Sequence, residues 1–159
     1  SKERIRSVIK KIEKEKADKA DMFDNEKQDL GFKVFKLTSS NFKIWRSSDV
    51  NEENLMQQLE AFTNPVHANS PEQNMLYELM LKAGYQLTDT VEDKSSFYSI
   101  ANGLLIIALK KLDEKVIASI IAAKPKKVIT LDNLFTGNDQ LKTNTVLQMK
   151  DAGIDFKTI

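Results

Sequence analysis

Ile5, Val8, Ile9 and Ile12 fall at i, i+3, i+4 and i+7, so the chain opens with a single apolar stripe along a helix. Charged residues take over from Glu13 to Asp18. The helix is therefore expected to dock by its first half and fray beyond Ile12. Asp21–Asp29 is acidic, polar and linker-like. Gly31 then opens an expected strand, Phe32–Leu37, with Phe32 and Val34 facing one way and Phe35 and Leu37 the other. Apolar residues on both faces predict a strand covered on both. Turn residues follow at Thr38–Asn41, then a second short extended piece at Phe42–Trp45.

Helical spacing returns at Leu55, Leu59 and Phe62, with Asn51 as the expected N-cap. The best-marked helix starts at Ser70-Pro71-Glu72-Gln73, which reads as N-cap, first-position proline and capping-box glutamine. Its buried stripe is Leu76, Leu79, Met80 and Ala83, and Gly84 supplies the left-handed stop. From Ser96 the pattern becomes that of a sheet. Phe97–Ile100 and Leu104–Leu109 flank Asn102-Gly103, a pair suited to a type I′ hairpin turn. The unbroken apolar run of Leu104–Leu109 predicts a central strand covered on both sides. A helix at Asp113–Ala123, a strand at Val128–Leu131, a helix at Asn138–Ala152 and a last strand at Phe156–Ile159 complete two βαβ units. Their three strands should run parallel in one sheet, with Phe97–Ile100 antiparallel beside the first. The expected fold is a layered α/β domain (31–159) with a mixed, partly parallel β-sheet flanked by helices. An N-terminal amphipathic helix and linker (1–30) precede it.

Composition narrows the chemistry. The 159 residues suffice for one domain with a real core, and 41% hydrophobic with 30% charged residues is ordinary for a globular protein. No apolar run approaches the ~20 residues of a membrane helix, and no secretory signal opens the chain, so a cytoplasmic setting is expected. Cysteine is absent and His67 is the one histidine, which removes thiolate chemistry and leaves almost no room for histidine metal sites or a serine triad. The chain begins at Ser1 inside a helical pattern, as a piece of something longer would. The net charge of +1 hides an asymmetry: residues 31–46 carry four bases and no acid, whereas residues 47–93 hold nine acids against Lys82. A domain gripping duplex DNA unaided usually has an overall excess of base.

Candidate sites are few. In 31–46, Lys33, Lys36, Lys43 and Arg46 alternate with Phe32, Phe35, Phe42 and Trp45. Basic residues between aromatics suit a nucleic-acid or partner contact; packed strands with outward lysines explain them as well. Asp113 and Asp132 end two parallel strands, where α/β sheets bind ligands, and would be the residues of a small stand-alone magnesium enzyme. An independent nucleic-acid-binding module is the other alternative. Leu134–Asn138 precedes a helix start, but all five glycines are isolated, so no phosphate loop or dinucleotide fingerprint can form. Lys142-Thr143-Asn144 reads as a solvated helix surface, His67 as exposed, and Met75, Leu76, Leu79 and Met80 as core.

GFKVFKLTSSNFKIW (31–45), KERIR (2–6), NMLYELMLKAGYQLT (74–88), FYSIANGLLIIAL (97–109) and LKTNTVLQMKDAGI (141–154) together resemble the carboxy-terminal part of the modification (Mod) subunit of type III restriction-modification systems. These are site-specific adenine-N6 DNA methyltransferases that use S-adenosylmethionine. The DPPY-type tetrapeptide and FxGxG-type loop of such enzymes do not occur in this chain. The resemblance therefore implies a C-terminal domain without catalytic or cofactor-binding residues of its own. It also implies a second Mod subunit, the Res helicase-nuclease subunit and DNA as partners. The expected role is subunit assembly, with Lys33, Lys36, Lys43, Arg46 and Trp45 as the contact candidates for DNA or a partner.

Overall fold

A computed structural model of the chain describes residues 2–18, 30–43, 55, 56, 59 and 64–159. The chain divides into two compact units, Ser1–Leu37 and Thr38–Ile159. In the first, helix α1 spans Lys2–Asp18, well past the expected fraying point at Ile12. Its lysines and glutamates are good helix formers that need no buried face to remain helical. Ile5 and Val8 are exposed, in contrast to the docked face their spacing suggests. Phe32–Leu37 is not a strand, and every residue from Gly31 to Ser40 is exposed. Apolar residues at strand-like spacing give a segment β-propensity, which is a context-dependent preference and not a commitment to a strand.

The second unit is the expected layered α/β domain. Helix α2 (Glu72–Lys82) leads into a five-stranded sheet of β1 (Val91–Asp93), β2 (Tyr98–Ile100), β3 (Leu105–Ala108), β4 (Lys127–Thr130) and β5 (Asp155–Thr158). The strands lie in chain order, with β1–β2 and β2–β3 antiparallel and β3–β4 and β4–β5 parallel. Helix α3 (Glu114–Ala123) connects β3 to β4; a 3-10 turn (Asp132–Phe135) and helix α4 (Asp139–Asp151) connect β4 to β5.

Both faces of β3 are covered, which is why its run is continuously apolar. Leu105 and Ile107 join Leu76, Leu79 and Met80 of α2 in one core cluster. Ile106 and Ala108 join Ile117 and Ile120 of α3 and Met149 of α4 in another. Phe135 meets Phe156 edge-on with centroids 6.5 Å apart, closing the second core over β5.

Helix ends follow their sequences with one exchange. Asp113 caps α3 by accepting the Val116 N–H, and Asn138 caps α4 by accepting that of Leu141 at 3.0 Å. Replacing Asn138 by alanine should cost about 1 kcal/mol, a Tm fall of roughly 2–4 °C in a thermal melt. Ser70, by contrast, does not cap α2; its hydroxyl donates to the Asn41 carbonyl, and Pro71 holds the cap position. Helices α2 and α4 each stop on a left-handed glycine, Gly84 (φ +86°) and Gly153 (φ +71°). The next N–H reaches back to Met80 and Met149 respectively. The hairpin turn expected at Asn102-Gly103 is present: both residues take positive φ and the Leu104 N–H bonds to Ala101 O, overlapped by a second turn in which Ala101 also takes positive φ and the Gly103 N–H bonds to Ile100 O.

Candidate functional site

Three of the five contact candidates fall among the described residues, in two different units. Lys33 and Lys36 are exposed in the first unit, and Lys43 is half-buried in the second. Trp45 and Arg46 lie outside the described residues, as do Asn51 and Phe62 of the expected helix. Leu55, Met56 and Leu59 are helical.

The end of the basic, aromatic stretch instead forms an anchor. Phe42 is only 5% exposed and belongs to the core cluster of α2. It pairs as an isolated antiparallel bridge with Val66, flanked by Lys43 N–H to Pro65 O (2.6 Å) and His67 N–H to Asn41 O (2.9 Å). The exposed His67 thus enters only through its backbone. Glu78 of α2 holds the same segment from the other side. Its carboxylate accepts from the Ser40 hydroxyl and from both the backbone N–H and the side-chain amide of Asn41, the latter two at 2.8 Å. Lys82, one turn on, lies 2.8 Å from Glu78 and 4.8 Å from the centre of the Phe42 ring. Burial pushes the Glu78 carboxyl up, but the Lys82 ammonium, the Ser40 hydroxyl and the Asn41 donors outweigh it and bring it down to about 2.

A second polar cluster was invisible to sequence spacing. The Tyr98 hydroxyl of β2 donates to Glu72 in the first turn of α2. Lys110, just past β3, lies 4.9 Å from the Tyr98 ring centre, 3.2 Å from Asp93 of β1 and 3.5 Å from Glu72. Burial, then the Glu72 carboxylate, raises the Tyr98 hydroxyl above its ordinary value, so it does not ionise near neutrality. Tyr98 and Asp93 raise Lys110 likewise. The Ser95 N–H, then Lys110, lowers Asp93. The cluster braces α2 against three strands. Glu72, Asp93 and Lys110 come together from distant points of the chain, and no local pattern announces that.

At the carboxyl ends of the parallel strands, Asp113 and Asp132 each engage a different lysine. Lys111 lies 2.8 Å from Asp113 and, with the Val116 N–H, lowers its carboxyl. Asp132 Oδ1, shut off from solvent and from well-aligned donors, sits 2.6 Å from the Lys142 ammonium. Among the described residues no group of three or more His, Cys, Asp or Glu stands together as metal ligands would. Asp113 thus serves a helix cap and an ion pair, and Asp132 an ion pair. At Leu134–Asn138, Phe135 is buried and Asn138 takes an N–H that an anion would need.

Set against known proteins, the chain matches no family model, no curated protein and no solved structure. No helix among the described residues is long and apolar enough to cross a membrane.

Proposed function

We propose that this chain is the non-catalytic C-terminal domain of a type III Mod methyltransferase, serving subunit assembly in a cytoplasmic complex, with DNA-backbone contact as a second role. Adenine methylation and S-adenosylmethionine binding belong, in this reading, to the rest of the parent enzyme. The observation that carries it is the anchor at Glu78. It joins two of the strings that carry the resemblance, Gly31–Asn41 and Asn74–Thr88, through Ser40 and Asn41. The anchor gives those two strings a shared physical role within the second unit, and Phe32, Val34 and Leu37 of the first string are exposed. Exposed apolar side chains clustered along one segment mark a protein contact more often than a catalytic surface.

The test is co-purification of the chain with the Mod catalytic core and the Res subunit of the same source. A stoichiometric complex, weakened at least tenfold by Val34→Asp/Leu37→Asp, is the expected result. A chain that stays monomeric and binds neither protein would overturn the reading.

A further inference from the structure

Strand β5 (Asp155–Thr158) closes one side of the sheet, and among the described residues no strand lies beyond it. The Asp155 N–H bonds to Lys126 O, and the Ile159 N–H to Thr130 O. In a parallel ladder alternate residues bond to the same neighbour, so the backbone of Asp155, Lys157 and Ile159 faces β4. Phe156 and Thr158 therefore turn their N–H and C=O outward, as an unpaired edge does. Side chains alternate between the two faces of the sheet. Phe156 packs on the core under α3 and α4, whereas Asp155 and Lys157 stand exposed on the opposite face.

Open edges are usually guarded by charge. Strand β1, on the far side, follows that rule: its exposed residues, Glu92 and Asp93, are both acids, and a second β1 would meet them with like charge. Strand β5 does not follow it. It carries one acid and one base on the same face, Asp155 and Lys157. Asp155 lies 3.2 Å from Lys127 through one carboxylate oxygen, and Lys157 stands in no ion pair among the described residues. Two antiparallel copies of β5 can be centred on any of its residues. Centred on Asp155 or Lys157, like charges face each other. Centred on Thr158, Lys157 faces Ile159 and no charge is matched. Centred on Phe156, Asp155 of each copy faces Lys157 of the other. Directly opposed unlike charges stabilise a strand pair and like charges destabilise it, so the charges select the register at Phe156.

We infer that the outer edge of β5 is the interface of a two-fold dimer, and that its occupant is the same strand of a second copy of this chain, antiparallel and centred on Phe156. The outward N–H and C=O of Phe156 in each copy pair with those of the other, which joins the two sheets into one. The half-buried Phe156 rings, each edge-on to its own Phe135, meet beside the axis. An edge that pairs with itself closes at two copies, whereas β1 against β5 of the next copy would be head-to-tail and open-ended. The inference needs only this chain and does not rest on the proposed function.

The test is sedimentation velocity on the chain and two charge variants. The unaltered chain should be dimeric at about 100 μM and dissociate on dilution, with a Tm that rises with concentration. Lys157→Asp sets acid against acid and Asp155→Lys sets base against base, so each alone should weaken the dimer by about tenfold or more. An equimolar mixture of the two variants should restore a heterodimer, because Asp then faces Lys on both sides of the axis. Both positions are exposed, and circular dichroism checks that each variant folds. Hydrogen exchange needs no substitution: the Phe156 N–H should exchange about tenfold more slowly in the concentrated, unaltered chain than in the dilute one. Unchanged exchange there would overturn the inference on its own. So would a monomer at about 100 μM, a dimer that both variants keep, a mixture without heterodimer, or growth beyond two copies. A β5 dimer that binds neither the Mod core nor Res removes the assembly reading alone, and complexes formed by a monomeric chain remove the β5 interface alone.

Discussion

Phe42→Ala is expected to cost about 3–5 kcal/mol, a large part of the stability of a domain this size. Phe42 is the sole described residue upstream of position 60 in a buried core cluster, where it joins Met75, Leu76, Leu79 and Met80 of α2. Truncation would leave a cavity there and remove the face over which the Lys82 ammonium rests. Urea denaturation should show a lower midpoint with an unchanged slope, and Phe42→Leu should recover more than half of the loss. A loss under about 1 kcal/mol would mean that residues 40–43 peel away before the domain unfolds, and the anchor would then be no part of the cooperative unit.

Glu78→Gln carries the second large effect, and its signature is in pH. The folded carboxyl, held at about 2 against an ordinary 4.5, stabilises the domain fully above about pH 4.5. That contribution fades as pH falls from about 4.5 toward 2, where the carboxyl protonates in the folded state too. About 17% of the side chain remains accessible, so solvent screens part of the interaction. The amide should therefore cost on the order of 1–2 kcal/mol at pH 7. The gap between wild type and variant should narrow steadily below about pH 4.5 and nearly close at about pH 2. A gap that stays constant over this range would assign the loss to packing rather than to the charge.

The β3–α3–β4–α4–β5 half of the fold is legible in the sequence because each element carries a local signal that agrees with its place. Leu105–Ala108 is apolar throughout because both faces are covered, and Asp113 and Asn138 stand where the helices begin. Strand β1 escapes notice because Val91-Glu92-Asp93 is a short acidic edge strand with a single partly buried residue. Phe32–Leu37 misleads for the converse reason: its pattern is that of a strand, but the segment is exposed and takes no strand in the structure. Of the candidate site residues, only the neighbourhood of Phe42 proves structural in a way the sequence hints at. Glu78 is one more polar residue on a helix until Ser40 and Asn41, far upstream in the chain, are seen to bind it. Ser70 shows the same limit, since a hydroxyl placed as a cap can be taken by a distant carbonyl.

The anchor also has a mechanical meaning. Any tension transmitted along the chain from residues 2–37 enters the α/β body through residues 38–43. Asn41 meets it with its N–H and side-chain amide on Glu78 and its carbonyl on His67 and Ser70, while Lys43 holds Pro65. These bonds reach three different segments of the body, α2, residues 65–67 and Ser70. Pulled from the upstream end, the domain should yield in one abrupt step, with Phe42 leaving its pocket as the bonds at Asn41 part.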